Sequence, residues 1–346
     1  MTATKGYAVQ DAKTPLAPWD FERREVGPHD VQIEIQFCGV CHSDLHQIRN
    51  EWGFSIYPMV PGHEIVGRIS KVGDHVKKFK EGDLAGVGCL VDSCRECDNC
   101  HEGLEQYCEK GNIQTYNSRG KDGAMNFGGY SNNIVVHEDF ALHISDKLDL
   151  AAVAPLLCAG ITTYSPLKYW KIGAGHKVAV LGLGGLGHMA VKFAVAFGAE
   201  VTVLSTSPSK EADAKRLGAH KFVVTSQPES VKEVKSYFDF IIDTVSAPHD
   251  YNMYLSLLKT NGTQICVGVP PEPLQIAGFS LLANRRSIAG SGIGGLPETQ
   301  EMLDYCAEHN IVSDIELIDI KNIEPSYVRM LKGDVKYRFV IDMATL

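Results

Sequence analysis

The stretch "HKVAVLGLGGLGHMAVKFAVAFGAEVTVLSTS", residues 176–207, narrows the fold more than any other. Val178 to Leu181 form an apolar run that predicts a strand, and Gly182, Gly184 and Gly187 follow it as G-x-G-x-x-G. Met189, Val191, Phe193, Ala194 and Phe197 are the larger apolar positions of a helix broad enough to be buried on more than one side. Gly198 is a natural stop for that helix. Val201 to Leu204 form the next strand. Further strands are predicted at "KFVVT", "FDFIIDTV", "TQICVGV" and "RSIAGSG", with helical stretches between them. Strands alternating with helices build a doubly wound parallel sheet, an α/β Rossmann arrangement.

The glycine turn implies a ligand. In such a turn the first glycine permits the tight bend and the second lets a pyrophosphate approach the backbone. The third lets helix and strand pack closely, and the helix N-terminus faces the phosphates. Gly182, Leu183, Gly184, Gly185, Leu186 and Gly187 are therefore candidate cofactor-binding residues. The tip of the second strand distinguishes the dinucleotides. An NAD-preferring site usually places Asp or Glu there, about 20 residues past the glycines, to bind the ribose hydroxyls. Here the strand ends in "LSTSPSK", where Ser205, Thr206 and Ser207 offer hydroxyls and Lys210 a positive charge. That set suits a 2′-phosphate, so NADP(H) is expected rather than NAD. The same residues also read as a turn-rich cap on the following helix.

Ahead of this region, "DVQIEIQFCGV", "HEIVGRISKV" and "GGYSNNIVVHEDFALHI" predict a β-rich domain, and "YRFVID" near the end predicts one more strand. Within that part, "CRECDNCHEGLEQYC" holds Cys94, Cys97, Cys100 and Cys108. Such clustering means either a disulfide knot or a metal site. A chain of 346 residues, 44% apolar and 22% charged, buries a core without disulfides. Its start, "MTATKGYAVQDAK", lacks the basic-then-apolar pattern of a secretory signal, so a cytoplasmic protein is expected. There clustered thiols are metal ligands more often than disulfides, and four thiolates make a closed structural zinc site. The net charge of −9 and the acid-rich loop "CRECDNCHEGLEQYCEK" argue against a nucleic-acid partner. No membrane span is expected: "AAVAPLLCAGI" is too short, and the longer apolar run is glycine-rich and broken by His188 and Lys192.

Three further residues are dispersed: Cys41 in "GVCHSDLH", His63 in "PGHEIVG" and Cys158 in "LLCAGITTY". Two cysteines and a histidine are a ligand set that leaves a zinc ion one open position. Spacing does not establish them as a group. Singly, each reads as a buried small hydrophobe or a hydrogen-bonded histidine.

Taken together the motifs resemble the zinc-dependent medium-chain alcohol dehydrogenases, and within them the cinnamyl alcohol dehydrogenase subfamily. "GHEIVGRISKVGDHV" fits that family's zinc signature through Gly62, His63, Glu64, Gly67, Gly73 and Val76. "GVCHSD", the four-cysteine loop and "GLGGLG" occur in the family's order, and "YPMVPGHE", "CAGITTYSPL", "ETQEMLDYC" and "YRFVID" match the subfamily. The resemblance implies a GroES-like catalytic domain over residues 1–158 and 295–346, a Rossmann domain over 159–294, and an active site in the cleft between them. It implies that Cys41, His63 and Cys158 bind a catalytic zinc, with Glu64 an occasional ligand and Asp44 orienting His63. Cys94, Cys97, Cys100 and Cys108 would bind a structural zinc. Zinc would polarise an aldehyde carbonyl for hydride transfer from NADPH. Ser43 would protonate the oxygen, with the cofactor ribose and His46 passing the proton. Thr162, Thr244, Gly268, Ser291, Gly292 and Ile293 match cofactor-lining positions. A homodimer joined along "RSIAGSGIGG" is also implied.

Two positions depart from the subfamily. Plant members serving lignin synthesis tend to have tryptophan just before "TYN", where this chain has Gln114, and often phenylalanine where it has Gly292. Both changes remove aromatic wall, so a broad reductase of aromatic and aliphatic aldehydes is expected, with Trp52 a candidate for the pocket. Two rivals remain at this level. An NAD-linked secondary-alcohol or polyol dehydrogenase on the same fold is disfavoured by "STSPSK". A non-catalytic zinc and nucleotide binder has no need of Cys41, Ser43, His46, His63 and Cys158 together.

Overall fold

The computed structural model describes residues 1–346, and in it the stretch 176–207 folds as strand Lys177–Leu181, helix Gly185–Ala196 and strand Glu200–Ser205. The helix ends at Phe197, and Gly198 follows with φ +83°, a left-handed conformation that suits glycine. The strands belong to a six-stranded sheet in the order Lys221–Val224, Glu200–Ser205, Lys177–Leu181, Phe238–Asp243, Leu258–Cys266, Ser287–Gly290. Every pairing is parallel. Central strands such as "KVAVL" are nearly continuous apolar runs, as expected where helices cover both faces. Lys177–Leu181 lies in the middle, and the chain leaves it in one direction first and the other later. This reversal is the switch point at which open α/β sheets bind ligands, beyond the carboxyl ends of the strands.

This sheet and its helices form one compact unit, Thr162–Ile293. The other unit consists of Met1–Ile161 and Gly294–Leu346. Its main sheet runs in the order Ile315–Asp319, Arg338–Asp342, Asp30–Gly39, Ile65–Val72, Leu84–Val87, Leu142–His143, and Asn133–His137 also pairs with Asp30–Gly39. The end of the chain is thus built into the sheet of its beginning, with Val340 opposite Gly39 and Ile341 opposite Cys38 in antiparallel register. Register shifts in the pairing of Asp30–Gly39 with Ile65–Val72 bend the sheet around a core that includes Val31, Ile33, Ile65, Ile134, Tyr130, Tyr327 and Phe339. A strand pair without a sequence expectation, Thr2–Ala8 with Ala17–Arg23, precedes it. No single helix is long and apolar enough to cross a membrane.

The second unit carries one histidine whose surroundings determine its charge. His249 Nδ1 lies 2.8 Å from the Ala247 carbonyl oxygen, and Nε2 lies 2.9 Å from a carboxylate oxygen of buried Asp243. Both neighbours are acceptors, so both ring nitrogens must donate, which makes the ring an imidazolium. The Tyr251 ring is 4.2 Å away, and the Asp250 carboxylate adds to the favourable field. Burial works against the charge, but the bonds to Asp243 and Ala247 outweigh it and raise the His249 pKa above 6.5. A raised folded pKa gives stability that is complete below about pH 6.5 and is lost as pH rises through the folded value. His249→Gln is therefore expected to lose more stability in urea unfolding at about pH 6 than at about pH 9. An equal loss at both would contradict the charged form.

Candidate functional site

In the first unit the backbone gathers two cysteine clusters. Cys94, Cys97, Cys100 and Cys108 present sulfur atoms that all lie within 4.8 Å of one another. The loop wraps them tightly. The amides of Glu96 and Cys97 point at Cys94 Sγ at 3.5 and 3.3 Å, and the Cys94 amide points at Cys108 Sγ at 3.4 Å. The Glu96 amide bond is the main reason the Cys94 thiol is pulled down to about 6. Amides aimed at sulfur favour thiolate, the form that binds metal. None of the ten cysteines forms a disulfide.

Cys41, His63, Glu64 and Cys158 form the second cluster, again with ligand atoms within 4.8 Å of one another and all four residues buried. The structure thus joins positions that lie too far apart for spacing to connect them. Cys41 caps the helix His42–Ile48, and Asp44 in its first turn accepts from the Cys41 amide at 2.9 Å. Asp44, fully buried, also accepts from the Gly62 amide and from His63 Nδ1, each at 3.1 Å. One carboxylate therefore ties the segment of Cys41 to the segment of His63. The ring of Tyr116 stacks on His63 at 5.8 Å. Contact with Cys158 pulls the Cys41 thiol well below its usual range, and the same contact pushes Cys158 up.

Glu64 is the fourth member, with no exposure, and it makes an ion pair with buried Arg338 from the C-terminal strand. Burial pushes the Glu64 carboxyl up, and the Arg338 guanidinium pulls against it. Its Oε2 has no hydrogen-bond partner. Two converging buried thiols and an orphaned buried carboxylate oxygen are what a divalent cation would relieve, and two sulfurs with an imidazole match the donor preferences of zinc.

The helix that Cys41 caps also carries Ser43, half-buried, and His46. His46 Nδ1 lies 2.5 Å from Glu51 Oε2, and both side chains reach solvent. The Trp52 ring is 5.3 Å from that of His46 and 5.9 Å from that of Phe54. Gln114 turns to Asn112, with its amide nitrogen 2.6 Å from Asn112 Oδ1. Sequence reasoning missed Glu51, Arg338 and the tyrosines around Asp44. Their only local signal was an acid in "RNEWG" and an arginine within an apolar strand, both ordinary until the fold pairs them.

In the second unit, five groups of candidate residues lie at or just beyond the carboxyl ends of adjacent strands. They are Gly182–Gly187, Ser205–Lys210, Thr244, Gly268 and Ser291–Ile293. Thr162 is buried on the helix Ala159–Tyr169, not at a strand end. Gly182 has φ +88°, and a Cβ on Gly187 would stand 2.2 Å from the Gly182 carbonyl oxygen, so neither tolerates a side chain. Gly184, by contrast, has nothing within 4 Å of its Cβ position, leaving open space over the turn. Thr244 Oγ1 donates to the Leu181 carbonyl at 2.8 Å. Lys210 Nζ donates to the Leu183 carbonyl at 3.0 Å, which places its ammonium on the glycine turn. Ser205 Oγ accepts from the Ser207 amide at 3.2 Å, while Thr206 is exposed. No acid stands at this strand end, so a cradle with open backbone and a cationic rim fits a phosphorylated dinucleotide.

Comparison with known proteins agrees with this layout. Residues 27–146 match the profile of the alcohol dehydrogenase GroES-like domain, and residues 185–308 match that of zinc-binding dehydrogenases. The chain is 54% identical to NADP-dependent alcohol dehydrogenase C 1 of Mycolicibacterium smegmatis, covering 100% of this chain and 99% of that one. It is 55% identical to aldehyde reductase YahK of Escherichia coli, covering 99% of each. A solved cinnamyl alcohol dehydrogenase from Helicobacter pylori, complexed with NADP(H), superimposes with a TM-score of 0.93 at 46% identity, covering 99% of each chain.

Proposed function

The chain belongs to the zinc-binding alcohol dehydrogenase family, and from that premise we propose that it is an NADP(H)-dependent aldehyde reductase and alcohol dehydrogenase of broad aromatic and aliphatic range. The observation that carries the reading is the convergence of Cys41, His63, Glu64 and Cys158 beside a helix bearing Ser43 and His46. A structural or sensory binder has no use for an incompletely ligated ion next to a proton path. When bound, zinc supplies a Lewis acid for the carbonyl oxygen and NADPH supplies the hydride.

The chain's own residues do the rest. Cys41, His63 and Cys158 would hold the ion, and Glu64 lies close enough to join them. Asp44 fixes the ring of His63 through Nδ1, so Nε2 would be the nitrogen free to bind. Ser43, two residues past Cys41, gives its hydroxyl proton to the substrate oxygen. His46, one turn further on, replaces it. Glu51 accepts a hydrogen bond from His46 Nδ1 and, reaching solvent, returns a proton to the ring after each transfer. Cys94, Cys97, Cys100 and Cys108 hold a second, closed zinc with no catalytic part. Lys210, with the hydroxyls of Ser205, Thr206 and Ser207, receives the 2′-phosphate, and Gly182–Gly187 the pyrophosphate. Thr162, Thr244, Gly268 and Ser291–Ile293 line the rest of the cofactor site. Gln114 and Gly292 leave the substrate pocket wide, with Trp52 as the remaining aromatic wall. Two thiolate metal sites suit a reducing compartment, the cytoplasm.

A homodimer fits the second unit. Ser287–Gly290 is an edge strand with unpaired backbone groups, and the nearby helix Gly278–Leu282 leaves Phe279 82% and Leu282 74% exposed. An uncovered edge beside large apolar side chains favours pairing with a second copy.

Three outcomes are expected. Zinc-replete protein should oxidise NADPH with cinnamaldehyde, benzaldehyde and a medium-chain aliphatic aldehyde, and Cys158→Ala should reduce turnover by about a thousandfold. Retained turnover in that variant would remove the catalytic-zinc assignment. Lys210→Glu should raise the KM for NADPH by roughly tenfold or more, the worth of a charge-assisted bond, and leave NADH nearly unaffected. Equal changes would place the 2′-phosphate elsewhere. In light scattering, the wild type should show twice the monomer mass and a Phe279→Glu, Leu282→Glu double variant the monomer mass. A monomeric wild type would rule the dimer out.

A further inference from the structure

Beyond the direct ligands, the first unit contains a line of buried hydroxyls that the proposed chemistry does not use. Tyr327 Oη donates to Tyr130 Oη at 3.2 Å, and Tyr130 Oη donates to Asp44 Oδ2 at 3.3 Å. The other oxygen of Asp44 accepts from His63 Nδ1 at 3.1 Å. Tyr327, Tyr130 and Asp44 have no exposure at all. We infer that Tyr327 and Tyr130 are positioning residues for the metal centre, a one-way chain of donors through which the C-terminal segment orients Asp44 and, through it, His63. The inference rests on the reading of Cys41, His63 and Cys158 as zinc ligands.

Three observations carry it. First, a phenol costs free energy to bury, whereas phenylalanine would fill the same space with no hydroxyl to desolvate. Two adjacent buried phenols bonded in series towards one carboxylate are explained by what the last bond does. Second, the direction is fixed. Asp44 accepts from the Cys41 and Gly62 amides and from His63, so the only role left to Tyr130 is donor, and Tyr130 in turn accepts from Tyr327. Burial raises both phenols well above their usual range, so both keep the protons they donate. Third, Tyr130 donates to Asp44 Oδ2, the oxygen that also accepts from the Cys41 amide. Without it the carboxylate can rotate, and the tautomer and tilt of His63 rotate with it. Tyr116 stacks on the ring of His63, and its buried hydroxyl also lies in the field of the Asp44 carboxylate.

The chain also spans the fold. Asp44 stands on the helix His42–Ile48, His63 and Tyr130 on loops before two strands of the sheet, and Tyr327 on the helix Ile323–Leu331. The end of the chain therefore bears on a site built mostly from its first 160 residues. At 3.2 and 3.3 Å both hydroxyl contacts are long for O–H···O bonds, so each link orients more than it grips.

The test uses Tyr130→Phe and Tyr327→Phe in the full-length zinc-loaded protein, with zinc release to a chelating dye as the readout. The four-cysteine zinc, which this chain does not touch, is the internal reference. Removing a partner that orients a metal ligand typically costs 10–100-fold in metal affinity, so Tyr130→Phe should release one zinc per chain roughly tenfold faster, and Tyr327→Phe, one link further away, about threefold faster. The second zinc should leave at the wild-type rate, and the thermal midpoint should stay close to wild type. With cobalt(II) at the same centre, the visible d–d bands should shift in both variants. Wild-type release and unshifted bands in both would overturn the inference. So would equal acceleration of both zincs, which is general loosening. A wild type that holds one zinc only would overturn the underlying ligand assignment, and the inference with it.

Discussion

Two carboxylates shut away from water, those of Asp44 and Glu64, set the terms on which the first unit can fold. Charge removed from water must be matched by donors or by opposite charge, and the cost of failing is several kcal/mol. Asp44 is matched by two backbone amides, an imidazole and a phenol. Glu64 is matched by the guanidinium of Arg338. These partners come from residues 41, 62, 63, 130 and 338. An arrangement that satisfies both acids must bring those segments together, and with them Cys41 and His63; Cys158 joins from the segment just before the helix Ala159–Tyr169. The balance is also incomplete in an informative way, since Glu64 Oε2 has no partner and two buried thiols converge beside it. What is left over has the shape of a cation.

The second unit reaches its site by a different route. There the backbone does the work: a parallel sheet delivers five chain segments to one edge, and the reversal of direction at Lys177–Leu181 opens a crevice above them. Side chains enter mainly as exclusions. Gly182 and Gly187 admit none, and Gly184 leaves the space over the turn empty. Lys210 is the exception. Its bond to the Leu183 carbonyl holds a long, mobile cation where the turn begins. In the proposed reading, selection between dinucleotides hangs on one ammonium group and on the absence of an acid, while the rest of the cradle serves either cofactor.

How much of this could be read from the sequence depended on the range of the interaction. The strands and helices of residues 177–290 were legible because strand and helix periods are local. The cluster of Cys94, Cys97, Cys100 and Cys108 was legible because fifteen residues suffice to close a loop on four sulfurs. Cys41, His63 and Cys158 were visible only through resemblance, since nothing in a spacing of 22 and then 95 residues forces them together. Arg338, Tyr130 and Tyr327 were not visible at all. Arg338 sits in an apolar strand, Tyr130 in a loop of glycines and polar residues and Tyr327 on an amphipathic helix, and only the packed fold shows that their polar atoms point inward. His249 was equally hidden, because its charge follows from a carbonyl and a carboxylate that the fold brings to opposite sides of its ring.

That contrast in range has a physical consequence for the two metal sites. A four-sulfur loop closed within one short segment can form around its ion with little help from the rest of the chain, so its metal mainly stabilises the loop itself. The Cys41 site has no such independence. Its ligands are presented by a helix cap, a loop and the start of another helix, and their orientation depends on a strand and a helix contributed by the last fifty residues. Binding there is linked to the folding of the whole unit, and whatever loosens the returning segment must be felt at the metal before it is felt at the four-cysteine loop. A site that must leave one coordination position open cannot take its rigidity from a full set of ligands. It has to take it from the surrounding structure, and in the proposed reading that explains why the Cys41 cluster is the one wired to distant parts of the chain.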